Sequence, residues 1–191
     1  MVLIASDYLH INPARFFPVQ KDIYQSHLIA LISHIAAGMV ALLIGPFLFC
    51  SKKNALMRVL HRRLAYVYLA AIAVSAFAGL YMAVYAYAGP FAQLGFASMS
   101  CIWILTAVAG YREIRNGRIQ LHRKWMMRNF AVTFAAVTFR LWNGVFQVTS
   151  VDFNVGYITS SWLCWTLNLV LLEGYLRWGR KHRDDIEDVL A

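Results

Sequence analysis

The chain has 191 residues and a formal net charge of +9, with 60% hydrophobic residues and only 14% charged ones, against about 25% charged in soluble domains. A soluble fold of this length cannot hide so much apolar side chain, because surface-to-volume scaling leaves too much outside, and a mean hydropathy of +0.54 makes lipid the solvent for the excess. Three cysteines, Cys50, Cys101 and Cys164, scattered in apolar runs, exclude a disulfide framework and read as small hydrophobes.

In chain order, residues 1–26 read as an extramembrane arm. Its first apolar stretch, residues 1–5, is too short for a cleavable signal peptide and has no basic flank. Tyr8, Leu9, Phe16 and Phe17 suit the arm to rest on a bilayer surface. Five stretches then reach the ~20 apolar residues that a crossing helix needs. They are residues 27–50, 64–87, 91–111, 130–148 and 157–178. The expected fold is an all-α integral membrane bundle of about five transmembrane helices, residues 27–178. Short connections make sequence neighbours antiparallel. Residues 179–191 read as a solvated, frayed tail ending in Asp184, Asp185, Glu187 and Asp188.

The basic residues orient the bundle. Lys52, Lys53, Arg58, Arg62 and Arg63 lie in the first connection. Arg112, Arg115, Arg118, Arg123, Lys124 and Arg128 lie in the third, and Arg177, Arg180, Lys181 and Arg183 in the tail. The second and fourth connections hold none. Positive charge stays on the cytoplasmic side, so the N-terminus is expected outside and the C-terminus inside, in the cytoplasmic (inner) membrane. The charge is thus a topology signal whose partner is the anionic lipid headgroup, and nucleic-acid binding is excluded. Tyr85, Tyr87, Tyr157 and Trp162 fall near the outer interface, and Tyr111, Trp125 and Trp178 near the inner one.

Polar residues are costly inside a bilayer, so their pattern carries the most information. On the fourth span Asn129, Thr133, Arg140, Asn143 and Gln147 share one helical face, continued inward by Met126 and His122. On the second, His61, Tyr68, Ser75 and Met82 recur every seven residues. The first carries His27, His34, Gly38, Ala41 and Gly45 on one face, and the fifth Ser161, Cys164, Asn168 and Tyr175. These stripes suggest a polar interior shared by spans one, two, four and five. His34 and Arg140 lie at similar depths in the outer half, about 9 and 12 Å inside its boundary at the helical rise. His61 and His122 lie at the inner boundary at unequal depths, offset by about 7 Å. They open two similar strings, Leu60-His61-Arg62-Arg63 and Leu121-His122-Arg123-Lys124, 61 residues apart, a spacing compatible with duplicated helix pairs. Each has a plainer reading: Arg140 snorkelling, His34 satisfied in the core, His61 and His122 as ordinary interfacial histidines. Glu173 is placed to pair with Arg177 one turn on. No P-loop, Rossmann glycine pattern, zinc-protease motif or serine triad is present, so whether the protein is an enzyme stays open.

The order of motifs resembles a known family. Ser33-His34-Ile35 runs through to Gly45-Pro46-Phe47, and Leu60-His61-Arg62 follows with Tyr66 and Tyr68. Then come His122-Arg123-Lys124-Trp125-Met126, the run from Phe134 to Leu141, and Trp162-Leu163-Cys164-Trp165 with Asn168. Together they are similar to the bacterial membrane proteins catalogued as domain of unknown function 2306, over residues 27–176. The resemblance implies a multi-pass bacterial membrane protein and points to His34, His61, His122 and Arg140. Leu64-Ala65 departs from the pattern, where the second residue is usually Gly.

Three functions compete. One is a redox membrane subunit holding haem b or a quinone, with His61 and His122 as the iron ligands and Arg62 and Arg123 beside the propionates. Another is an outer-facing site for a small molecule or anion, in binding or transport, built from His34, Arg140 and Asn143. The last is a non-catalytic accessory protein that assembles with other membrane subunits through small-residue faces.

Overall fold

The computed structural model describes the backbone of residues 18–49 and 54–190, and side chains in that range as far as Gly179. The predicted contacts of Tyr8, Leu9, Phe16 and Phe17 with a bilayer, and the roles of Cys50, Lys52 and Lys53, fall outside the described residues. Among those described, every regular element is helical. A short 3-10 turn at Pro18–Gln20 precedes α1 (Lys21–Ser26). Then follow α2 (Leu28–Leu48), α3 (Ala55–Ala83), α4 (Pro90–Arg115), α5 (Ile119–Thr133), α6 (Ala135–Val148) and α7 (Phe153–Leu190). Rather than ending near residue 178, the backbone of α7 stays helical to Leu190.

Among the described residues, four helices are long and apolar enough to cross a membrane: α2, α3, α4 and the Phe153–Gly179 part of α7. The remaining predicted crossing, residues 130–148, is composite. The chain turns helical well before it, at Ile119, and is interrupted at Phe134 between α5 and α6. In a continuous helix the Ala131 carbonyl would accept from the Ala135 N–H. Here it accepts from Asn168 Nδ2 of α7 at 3.0 Å, the kind of side-chain repair that lets a broken helix survive in lipid.

The interior is small and polar while the surface is large and apolar. Ala41, Ser75, Ala76, Ala92, Ser160 and Ser161 are fully buried, whereas Phe47, Phe77, Phe91, Leu105, Val170 and Leu171 are each more than half exposed. That distribution suits a helix bundle solvated by lipid, where close backbone approach replaces hydrophobic burial as the packing force. The small face of α2 shows how it works. Gly38 faces Ser75 Oγ, and a Cβ on Gly45 would overlap the Phe130 ring.

Consecutive helices pack as antiparallel neighbours: α2 on α3, α3 on α4, α4 on α5, and α6 on α7. α4 and α5 also meet α7, and α5 touches α2. Beyond the interruption, α6 packs chiefly on α7, with Phe139 against Phe96 of α4. One end of the bundle gathers the exposed Arg58, Arg62, Arg63, Arg112, Arg115, Arg118, Arg123 and Arg177. We call it the basic end. At the far end His27 stacks on Tyr85 and bonds Tyr81, and Tyr87 meets Phe153 and Tyr157.

The 61-residue relation between the two histidine strings extends along both hairpins. Gln93-Leu94-Gly95-Phe96 corresponds to Asn154-Val155-Gly156-Tyr157, Ser98 to Thr159, and Ser100 to Ser161. The far-end turns match too. Gly89 and Ser150 stand at equivalent positions, and both have positive φ, 82° and 56°. Pro90 then opens α4, and Asp152 Oδ1 opens α7 by accepting from the Asn154 and Val155 N–H groups at 3.0 and 3.2 Å. The hairpin α3–α4 and the hairpin α5–α6–α7 thus share these positions at a spacing of 61 residues.

Candidate functional site

The middle of the bundle is closed by a buried polar layer. Tyr68 of α3 donates its hydroxyl to Asn129 Oδ1 of α5 at 2.8 Å. Asn129 Nδ2 donates to the Trp103 carbonyl and to Thr106 Oγ1 of α4, both at 2.9 Å. Trp103 Nε1 donates to Thr133 Oγ1 at 2.9 Å, and that hydroxyl lies 3.2 Å from the Tyr68 oxygen. Every member is at most 6% exposed. The layer needs no water, because each donor and acceptor finds a partner on another helix or one turn back on its own. The sequence pattern assigned Asn129, Thr133 and Tyr68 to an interior face. It missed α4, which supplies Trp103 and Thr106. The readable signal was Trp103 itself, whose buried indole N–H requires an acceptor.

This layer sets the register of the histidines. α3 and α5 run the same way, both starting at the basic end. His61 precedes Tyr68 by seven residues, and His122 precedes Asn129 by seven. Seven residues are two turns on nearly the same face, about 10 Å along the axis. On antiparallel α4, seven residues past Trp103 is Gly110, and His122 Nδ1 lies 2.8 Å from the Gly110 carbonyl. His61, Gly110 and His122 therefore form one layer toward the basic end. The depth offset expected from the span boundaries does not exist, since it arose from starting the fourth span at Phe130 when the helix starts at Ile119. A carbonyl only accepts, so His122 Nδ1 carries its proton and Nε2 is left with the lone pair. Both rings are partly buried, and Arg62 and Arg123 beside them are exposed.

In the far half, His34 of α2 is fixed reciprocally to α3. Its Nδ1 donates to the Ser75 carbonyl at 2.8 Å, and Ser75 Oγ donates to the His34 carbonyl at 2.8 Å. Gly79 provides the slot, since a Cβ there would come within 2.9 Å of the imidazole and 3.4 Å of Ser100 Oγ. Arg140 of α6 turns back one turn, toward the membrane middle, to donate to the Ala136 carbonyl. It lies within electrostatic reach of His34. Asn143 Nδ2 bonds the Phe139 carbonyl of its own helix at 2.8 Å, so His34 and Arg140 share a level while Asn143 serves α6.

The predicted Glu173–Arg177 pairing is replaced by a fork across helices. Arg128 Nε and Nη2 donate to the two Glu173 oxygens at 2.5 and 3.1 Å, and the guanidinium lies 4.7 Å over the Trp125 ring. Reaching from α5 to α7, Arg128 uses both arms on one carboxylate, a geometry that the i to i+4 pair lacks.

A lipid-facing apolar shell, several membrane-length helices and a dry polar seam define a multi-pass membrane protein. The family described as predicted membrane protein, domain of unknown function 2306 (DUF2306), matches residues 31–176, and the chain belongs to it. No curated protein and no solved structure matches.

Proposed function

We propose that this protein is a membrane redox subunit that holds haem b between His61 and His122. The observation that carries this reading is the register: two histidines on parallel helices, at one level, at equivalent positions of two matching hairpins. Axial ligands of one iron need that shared level, and bundles supply them from facing helices. His122 is held by its Nδ1–H on a backbone carbonyl, which orients the ring and leaves Nε2 for iron. Arg62 and Arg123 are the nearest cations in sequence to the two ligands and suit a pair of propionates. A bound haem supplies reversible one-electron transfer there. In this reading the basic end faces the cytoplasm across the inner membrane, against anionic headgroups, with other membrane subunits as partners.

The test is an absorption spectrum of protein purified in mild detergent from cells supplied with haem. A sharp reduced-minus-oxidised b-type band is expected. His61→Ala and His122→Ala should each abolish it while the protein stays in the membrane. A colourless wild-type preparation overturns the proposal.

A further inference from the structure

The level of the histidines fixes what projects beyond them. Tyr81 of α3 belongs to the far-end aromatic group, against His27 and Tyr85, and His61 stands twenty residues before it on the same helix. Twenty residues rise about 30 Å, the thickness of the hydrocarbon. α7 gives the same measure, since Arg177 stands twenty residues past Tyr157, which meets Tyr87 at the far end. Aromatic rings gather at the membrane boundary. With one boundary at Tyr81 and Tyr157, the other falls at His61, His122 and Arg177. The start of α3 and the α4–α5 turn stand outside it. Headgroups beside them account for exposed cations there but not for exposed apolar side chains. Leu56 is five residues outside His61 and 70% exposed, and Ile119 is three residues outside His122 and 59% exposed. Ile114, in the last turn of α4, is exposed as well. Between them stand Arg58, Arg112 and Arg115, all exposed. Among the described residues, the acids of this end are engaged elsewhere, Glu113 by Arg118 at 2.6 Å and Glu173 by Arg128. Nine of the ten cations whose side chains are described at this end are Arg, with Lys124 the exception, although Lys serves topology equally well. Apolar anchors set among arginines, with Lys and acids scarce, are the composition of a protein-binding surface.

We propose that the basic end docks a soluble protein with an acidic face, a one-electron carrier serving the His61–His122 site. The choice of a carrier rests on the haem reading, while the surface stands on its own residues. With both histidines on one iron, no coordination position stays open for a substrate, so the counterpart of such a site is another redox protein. The level of the layer brings that partner close. From Leu56 to His61 is about 7.5 Å of helix, and from Ile119 to His122 about 4.5 Å. The arginine forks take surface carboxylates, steer the approach and fix its orientation. Leu56, Ile114 and Ile119 supply the apolar contact that holds the complex.

The experiment is equilibrium binding of an acidic plant-type ferredoxin to the full chain in nanodiscs of neutral phosphatidylcholine, with a basic cytochrome c as control. Saturable binding of the ferredoxin alone is expected, weakening as salt screens the arginines. Arg58→Gln combined with Arg112→Gln and Arg115→Gln should weaken it about tenfold or more and flatten its salt dependence. Leu56→Gln combined with Ile119→Gln should weaken it about tenfold with the salt dependence kept. All five side chains are exposed, so both variants should melt as wild type does. A colourless wild type that binds the ferredoxin sinks the haem reading and leaves the docking surface standing, whereas a red wild type that does not bind it sinks the docking surface alone. Binding retained in both variants overturns the proposal. So does an arginine variant whose sole defect is lost stabilisation by phosphatidylglycerol, which assigns those side chains to headgroups. Binding that appears only after residues 180–191 are removed assigns the surface to the chain's own acidic tail and overturns it too.

Discussion

An amide buried in a bilayer must satisfy both ends of its dipole, and Asn129 does so on two other helices. Its oxygen takes the Tyr68 hydroxyl, and its nitrogen serves Trp103 and Thr106. Asn129→Leu therefore strands groups on α3 and α4 at once and is expected to cost about 2 kcal/mol of stability. Tyr68→Phe removes one bond, leaves Thr133 still served by Trp103, and should cost about 0.6 kcal/mol, the average for hydrogen bonds within membranes. Unfolding in detergent by heat or steric trapping measures both. The reverse order of costs would show that Asn129 is not the hub. Asn129, Thr133 and Tyr68 were legible in the sequence because a polar residue recurring on one face of an apolar helix must point inward. Their partners were not, because periodicity fixes a face but never the neighbour opposite it. Glu173 shows the same limit. The nearest cation along the helix was Arg177, yet a bidentate fork from Arg128 on α5 took the carboxylate.

Among the helices, the interruption at Phe134 has the widest effect. It frees the Ala131 carbonyl, and Asn168 repairs the loss while also reaching Thr138 Oγ1 at 3.1 Å. Asn168→Leu is expected to destabilise the protein by about 1–2 kcal/mol and to speed hydrogen exchange around residues 131–138 more than in α3. Uniform exchange along both helices would count against a repaired break. α2 depends on a different device. Gly45→Leu drives a side chain into the Phe130 ring and should cost about 1–3 kcal/mol through overpacking, whereas Gly144→Leu should be near neutral. The small face of α2 was readable in advance from Gly38, Ala41 and Gly45. The break in the fourth span was not, because no Pro or Gly marks it. Phe134 keeps right-handed helical angles, φ −69° and ψ −12°, so only tertiary contacts reveal it.

At the scale of the molecule, topology is the most direct prediction. A reporter fused after Ala191 should be active only in the cytoplasm, and reporters near Ala88–Gly89 or Asp152 only outside; a cytoplasmic signal at Asp152 overturns a fifth crossing by α5 and α6. The all-helical membrane class was legible from hydropathy and charge alone. The 61-residue spacing was legible only in part. The LHR strings stood out, but the match of Gln93–Phe96 to Asn154–Tyr157 is made of conservative changes and gains meaning once both segments open the return helix of a hairpin. The histidine layer was half legible for a similar reason. His61 and His122 stood out as a pair, while their common level waited on the Tyr68–Asn129 bond.

The dry layer of Tyr68, Trp103, Thr106, Asn129 and Thr133 has an electrical consequence. Because its groups bond one another, the layer is complete without a bridging water. A charge carried past it would cross part of the transmembrane voltage, which is worth about 2.3 kcal/mol per unit charge for each 100 mV.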